Sequence, residues 1–305
     1  PRRVRIARRA DAVLLGLAVV VPVLVLLAVP RLSSGFVLHA LVAFFVFGTM
    51  ALAWTWLAGA TGYADLGPVV FYGLGGYVTG ILAARVGLPF VVAALAGALA
   101  CAAFAALSGW LTLGHGVALF AIASLGLSQV LREIAAHWTG LTGGEAGLPL
   151  PVAGLSLGRV YYALLLLLIA TVAVGWWLRP RLGPTPKRFR SRLAIYALSG
   201  AFIGLAGGAH AVWLTFLDPG SQFDLGITLE IAAMGLLGGL RGAIGPLLGA
   251  ALLTAASEVL NAYAPNVHLG LLAMLLIVVV LFLPGGLLAT NQLERRLAWL
   301  PDGLL

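Results

Sequence analysis

Apolar runs long enough to cross a bilayer follow one another along almost the whole chain, and that succession leaves few folds open. A membrane-crossing helix needs about 20 apolar residues. Ten stretches approach or meet that length: 12–30, 36–58, 68–84, 88–113, 117–138, 160–178, 193–214, 226–240, 243–262 and 269–290. The third and the eighth are short. Either can be broken or re-entrant where its backbone is covered by protein or lines a cavity. Composition agrees, with 62% hydrophobic and 9% charged residues and a mean hydropathy of +1.08, whereas soluble domains are about one quarter charged. The expected fold is all-α: a single polytopic membrane domain over residues 1–305 with about ten transmembrane helices.

The charges orient that bundle. Ten spans put both termini on one side, which then receives Arg2, Arg3, Arg5, Arg8 and Arg9, the segment 179–192, Arg241, Arg295 and Arg296. The opposite side receives Arg31, Arg85 and Arg159, with Arg132 near a span end. Basic residues favour the cytoplasmic side, so the N- and C-termini are expected to be cytoplasmic. The segment 179–192 is the main polar interruption, with six of the eighteen basic residues and no acid. The net charge of +8 follows from this topology. A nucleic-acid-binding surface needs its charge on one exposed face, so membrane lipid, not nucleic acid, is the expected surround. The run 12–29 is as long as a span and lacks a small-residue cleavage pattern after it, which reads as a retained first helix and not a signal peptide.

Catalytic chemistry has little to stand on. Cys101 is the sole cysteine, so an intrachain disulfide or cysteine metal cluster is excluded. The five histidines are scattered without an HExxH pair, so no metal site is expected. None of Ser191, Ser199 and Ser257 sits in a Gly-x-Ser-x-Gly elbow. Lys187, the only lysine, follows Thr185-Pro186 without the Gly-rich turn of a P-loop, so the chain lacks the means to bind and hydrolyse ATP in that way.

Small residues mark helix-packing faces. Gly200, Gly204 and Gly208 form successive GxxxG steps, and Gly235 with Gly239, Gly238 with Gly242 and Gly245 with Gly249 continue the pattern. Such spacing lets helices approach closely. Ordinary bundle packing accounts for it, and a face that opens and closes is the other reading. Acids inside spans are functional candidates because burying charge in lipid is costly: Glu230 and Glu258. The ordinary alternatives are an acid at a helix N-terminus for Glu230 and a wetted outer position for Glu258. Two roomy external loops, Thr139 to Gly158 and Leu217 to Asp224, are the expected places for an external partner to dock.

Several stretches, taken in order, resemble the permease of branched-chain amino-acid ABC importers, closer to the LivM type than to its LivH-type partner. They are Asp65 to Tyr77, Phe120 to Arg132, Thr142 to Pro149, Leu198 to Ala211, Phe216 to Leu260 and Leu281 to Leu288. The resemblance implies a bacterial inner-membrane subunit that pairs with a second permease over two ATP-binding subunits. It implies delivery of substrate by a periplasmic or lipid-anchored binding protein. No cofactor is then expected on this chain, ATP being bound by the partner subunits. For a hydrophobic amino acid the passage would need weak polar contacts along an apolar wall, and Thr61, Tyr63, Asp65, Tyr72, Tyr77, Thr79, Thr228, Glu230 and Glu258 are the candidates. Helix-to-helix hydrogen bonding is the ordinary alternative for each, worth about 0.6 kcal/mol on average.

The chain departs from the resemblance in two places. Arg181-Leu182-Gly183 and Lys187-Arg188-Phe189-Arg190-Ser191-Arg192-Leu193 match the two flanks of the family's cytoplasmic coupling helix, but about twenty residues between them are replaced by Pro184-Thr185-Pro186. Either the chain is shortened there or its flanks are joined across a missing segment, and the match of the flanks favours the second. Arg181, Gly183, Lys187, Arg188 and Arg190 are the expected contacts to the ATPase. In addition, Asp65 and Pro68 replace family Ser and His. Two rival functions remain: the same machine carrying urea, a short amide or another small solute, and an ion-coupled secondary transporter, which needs a buried acid or a broken helix for its ion.

Overall fold

The structure, a computed structural model, describes residues 26–27, 29–30, 35–150, 157–182, 188–240 and 242–263, with single positions at 270 and 274. Eight long helices follow in order: α1 Gly35–Thr61, α2 Val69–Arg85, α3 Phe90–Thr112, α4 Val117–His137, α5 Leu157–Leu182, α6 Phe189–Leu214, α7 Leu225–Gly238 and α8 Ile244–Tyr263. They correspond one for one to the second through ninth apolar runs. The first and tenth runs lie mostly outside the described residues. Five helices, α1, α3, α4, α5 and α6, are long and apolar enough to cross a membrane, and α2 and α8 are shorter apolar helices. The described chain is thus an all-α membrane fold. With water absent from the hydrocarbon core, the helix satisfies each backbone group within its own segment.

Hydrogen bonds tie the ends of the first six long helices into two groups, as helices that run in alternating directions require. At one end the Tyr63 hydroxyl donates to the Leu113 carbonyl at 3.1 Å and Arg192 donates to the Tyr63 hydroxyl at 3.4 Å. At the other end Arg85 donates to the Gly140 carbonyl at 2.7 Å, Trp213 donates to His39 at 3.3 Å, and the Tyr161 hydroxyl reaches the Leu26 carbonyl at 2.8 Å.

Helix α6 is the hub, packing on α1, α2, α3 and α5. Its glycines make this possible. Added Cβ atoms would press Gly200 on Ala105 and Phe71, Gly204 on Cys101, Gly207 on the Tyr72 carbonyl and Gly208 on Thr79. A second close approach joins α7 to α8, where a Cβ on Gly238 would overlap the Gly245 carbonyl and one on Gly249 the Met234 carbonyl. Gly245 faces the Gly238 carbonyl in return, and Gly235 lies on Thr55 and Trp54 of α1. Gly239 is placed differently from the periodic pattern. It stands one residue beyond α7 with φ +100°, a conformation that only glycine adopts easily, so it ends the helix instead of lining its face.

The two loops expected to be external meet each other. Residues Leu148–Pro149 (β1) pair antiparallel with Phe216–Leu217 (β2), and the Leu150 amide donates to the Thr215 carbonyl at 2.9 Å. The glycines of Thr142 to Gly147 have physical reasons. Gly143 and Gly147 carry φ of +84° and +78°, and a Cβ there would overlap the Gly147 carbonyl and the Phe216 ring respectively. The acids of the second loop are caps: Asp218 accepts from the Ser221 amide and Asp224 from the Gly226 amide, each at 2.8 Å, the favoured use of Asp before a first helical turn.

Candidate translocation and coupling sites

Two polar clusters interrupt the apolar interior. The first lies where residues 62–68 fold back into the bundle before α2. Tyr63, Asp65, Gly67 and Pro68 are all buried there. Two bonds hold this short extended piece at depth, with the Trp54 indole donating to the Asp65 carbonyl at 2.8 Å and the Leu66 amide to the Ser124 hydroxyl at 3.1 Å. The Gly67 amide donates to the Asp65 carboxylate at 2.9 Å, and the hydroxyls of Ser124 and Tyr196 lie beside that carboxyl. A Cβ on Gly67 would overlap the Ser124 carbonyl. Helix α2 therefore begins inside the bundle, which is why the third apolar run is too short for a full span.

Asp65 serves the segment that carries it. Asp65→Asn retains an acceptor for the Gly67 amide and is expected to leave stability unchanged or raised. Asp65→Leu leaves that buried amide unpaired and is expected to cost about 1–3 kcal/mol. Thermal unfolding in detergent measures both.

The same cluster reaches the basic segment. Tyr63, 7% exposed, packs edge-on against Phe120 with ring centroids 5.5 Å apart, and the Arg192 guanidinium stands 5.4 Å from its ring centre, within cation–π range. Thr61 bonds its own helix through the Leu57 carbonyl at 2.7 Å and accepts from the Tyr63 amide at 3.2 Å. Arg188 and Arg190 are exposed at the start of α6. Arg181 belongs to the last turn of α5. Gly183 and Lys187 lie outside the described residues, as do Pro184 to Pro186.

The second cluster lies between α2, α6 and the turn Pro219–Gln222. The Tyr72 hydroxyl and His210 Nδ1 are 2.7 Å apart. Gln222, fully buried, sets its amide beside Tyr72 and against Gly76 without a hydrogen bond of good geometry. Tyr77 stacks on Phe223 at 6.0 Å, and its hydroxyl, like that of Thr79, is buried without a hydrogen-bond partner. Tyr63 and Tyr72 thus belong to separate clusters, and Tyr77 and Thr79 lie with Tyr72. Buried polar groups are normally paired, so this concentration is unusual for a bundle interior.

Thr228 and Glu230 stand on α7 and Glu258 on α8. Thr228 is buried in α7 with its hydroxyl unpartnered. Glu230 is half-buried six residues past the Asp224 cap, too far into α7 to act as a first-turn acid, where the dipole effect is concentrated. Glu258 is half-buried near the end of α8. Sequence reading missed His210 and Gln222: both lie in stretches that resemble the family, but nothing there joins either to Tyr72, which is more than a hundred residues away. Among the described residues no group of three or more His, Cys, Asp and Glu side chains is arranged to hold a metal ion.

A family model described as the branched-chain amino acid transport system permease component matches residues 36–183 and 187–281. The chain belongs to this family. The permease is also similar to the high-affinity branched-chain amino acid transport system permease protein LivM of Salmonella typhimurium, at 25% identity over 287 residues, covering 79% of this chain and 67% of that protein. No solved structure matches it. It is a multi-pass ABC-transporter permease of the inner membrane, a transport component and not an enzyme. The family match breaks at Pro184, Thr185 and Pro186, the three residues that stand between the flanks expected to contact the ATPase.

Proposed function

We propose that the permease is the LivM-type subunit of an ABC importer that passes branched-chain, hydrophobic amino acids, received from an external binding protein, into the cytoplasm. The observation that carries this reading is the family match over most of the chain, joined to the likeness to LivM. In this reading a LivH-type permease is its partner, two separate subunits bind and hydrolyse ATP, and the binding protein docks on the paired loops at β1 and β2. Ten spans, with both termini cytoplasmic, place the basic segment on the ATPase side, as the positive-inside rule requires. Tyr72, Tyr77, Thr228, Glu230 and Glu258, with Thr61 and Tyr63, are the side chains proposed to give the passage its weak polar contacts.

A coupling helix between Gly183 and Lys187 also belongs to this reading. One fact supports a segment missing at that point: the family match is interrupted there. Peptide mapping of the protein from its native membrane checks it: a peptide running Gly183-Pro184-Thr185-Pro186-Lys187 without interruption removes the missing-segment explanation.

The test of function is reconstitution. The permease, purified from its native membrane with its associated chains, is placed in proteoliposomes with the cognate binding protein and ATP inside. Uptake of radiolabelled leucine, isoleucine or valine that depends on ATP and on the binding protein is expected. Uptake by this chain alone without ATP would sink the ABC reading, and calorimetry of the binding protein with urea or short amides in place of leucine redirects the substrate assignment.

A further inference from the structure

The turn Pro219–Gln222, which follows β2, enters the bundle instead of staying at its end. It fills a notch on α2. Gly73, Gly76 and Gly80 share one side of that helix, at the three- and four-residue spacing of a face. A Cβ on each would meet, in that order, the Phe223 ring, the Gln222 Oε1 and Leu217, and all three of those residues are buried. Gly76 and Gly73 lie about 14 and about 18 Å from the Arg85 end of α2 at about 1.5 Å per residue, so the filled notch extends to about half the depth of a hydrocarbon core of about 30 Å. Ser221 and Asp224, beside the inserted side chains, are exposed. Irregular backbone at membrane depth is tolerated only against protein or along a water-filled cavity.

The turn is bonded to itself and not to the bundle. The Asp218 carboxylate accepts from the Ser221 amide at 2.8 Å and from the Ser221 hydroxyl, and the Gln222 and Phe223 amides donate to the Asp218 and Pro219 carbonyls at 3.1 and 3.2 Å. Within the described residues, the hydrogen bonds of 218–223 stay inside the turn. Its attachment to the bundle is apolar and forms a cluster of its own, in which Leu217 and Phe223 pack with Tyr77, Leu148, Leu150 and Ala211, apart from the main core. The polar atoms at this contact gain nothing from it. Both amide atoms of Gln222, the Tyr77 hydroxyl and the Thr79 hydroxyl are buried and unpaired, and an unmade hydrogen bond in an interior is costly. Apolar burial therefore holds the turn in while unpaired polar atoms favour its release. Withdrawal would leave the main core packed and would open Tyr72, Tyr77 and Thr79, with the partly exposed His210, to water.

We infer that the turn 219–223 is a movable plug. In this structure it closes the polar wall of Tyr72, Tyr77, Thr79 and His210, and it withdraws to admit solute when a binding protein engages the paired strands. The inference rests on the proposed function and goes further by naming the gate and the residue, Gln222, whose unpaired amide sets its balance. Strand β2 runs directly into the turn at Asp218, so a partner seated on β1 and β2 acts on the plug through adjoining chain. The wall offers hydroxyl and imidazole groups and neither carboxylate nor ammonium, which suits a small net-neutral solute, the zwitterion of an amino acid or an amide.

The test is thiol labelling of the assembled transporter in proteoliposomes, with a water-soluble maleimide added outside. The Gln222→Cys thiol is expected to be protected at rest and to react at least about tenfold faster with solute-loaded binding protein and ATP, the change that about 1.4 kcal/mol in the open–closed balance produces. Ser221→Cys, at an exposed position, reacts in both conditions, and native Cys101, buried against the Phe71 carbonyl, reacts in neither. Uptake of leucine, urea or a short amide with the Gln222→Cys thiol still protected overturns the plug and leaves the ABC reading standing. Reaction equally fast at rest, or labelling of Cys101 along with it, overturns the plug as well. Absence of ATP-dependent uptake of all these solutes removes the proposed function and the plug together. Gln222→Met reads the energetics, since it keeps the side-chain length and deletes the two unpaired atoms. It is expected to raise the unfolding midpoint while lowering uptake at least about tenfold, again the equivalent of about 1.4 kcal/mol. A variant that loses stability, or gains it with uptake unchanged, contradicts the plug.

Discussion

Gly238→Ala is expected to destabilise the permease by at least about 3 kcal/mol, the upper part of the usual range for overpacking. At this position an added methyl overlaps the Gly245 backbone carbonyl. The obstacle is main chain and not the tip of a flexible side chain, so α7 and α8 have to separate. Gly245 meets the Gly238 carbonyl and Gly249 the Met234 carbonyl, so separation at one point loosens the whole contact. Gly126→Ala and Gly114→Ala, where a Cβ meets nothing within 4 Å, are expected to stay within about 0.5 kcal/mol, as for ordinary surface changes. Thermal unfolding in detergent, followed by loss of monodisperse protein, measures all three. A Gly238→Ala protein as stable as Gly126→Ala would mean that the α7–α8 approach is looser than described.

Arg188→Ala with Arg190→Ala is expected to lower ATP-dependent uptake at least tenfold, equivalent to about 1.4 kcal/mol, with stability unchanged. Both arginines are exposed at the start of α6, and exposed charges contribute little to folding. Under the proposed function their role is contact with the ATP-binding subunits. Arg192 behaves differently. Its guanidinium reaches back to Tyr63, so it connects the basic segment to the re-entrant piece 62–68 and, through that piece, to the start of α2. Arg192→Ala is therefore expected to lose both uptake and some stability, whereas the exposed pair loses uptake alone. Parallel measurement of uptake, ATPase rate and unfolding separates the two outcomes, and unchanged uptake in the Arg188/Arg190 variant removes those residues from the coupling contact.

Much of the architecture was legible in the residues. Eight apolar runs became eight helices with ends displaced by only a few residues, because hydrocarbon length and the need to satisfy the backbone internally are local demands. The α6 glycines and the Gly245–Gly249 step lie at close approaches, but Gly239 shows the limit of periodicity. Spacing alone does not tell a glycine that packs from one that stops a helix, a difference that lies in backbone angle. The two acids of the second loop, Asp218 and Asp224, are spent as helix caps, a role their sequence positions did not single out. The candidate site was less legible. Tyr72 stood out within a motif, but its neighbours His210 and Gln222 come from distant segments whose own patterns do not point to it.

The sequence by itself determined that this chain spans a membrane as a helical bundle, where the runs begin and end, which ends are basic, and which family it joins. Those properties depend on composition, length and local order. Tertiary structure decided that residues 63–68 are held within the bundle, that the loops carrying β1 and β2 pair, and which side of each described helix is covered. The reason is physical: in a chain apolar on nearly every face, hydrophobicity drives insertion but does not choose partners. That choice falls to close backbone approach at glycines and to the few hydrogen bonds between polar groups, and both depend on residues that are far apart along the chain.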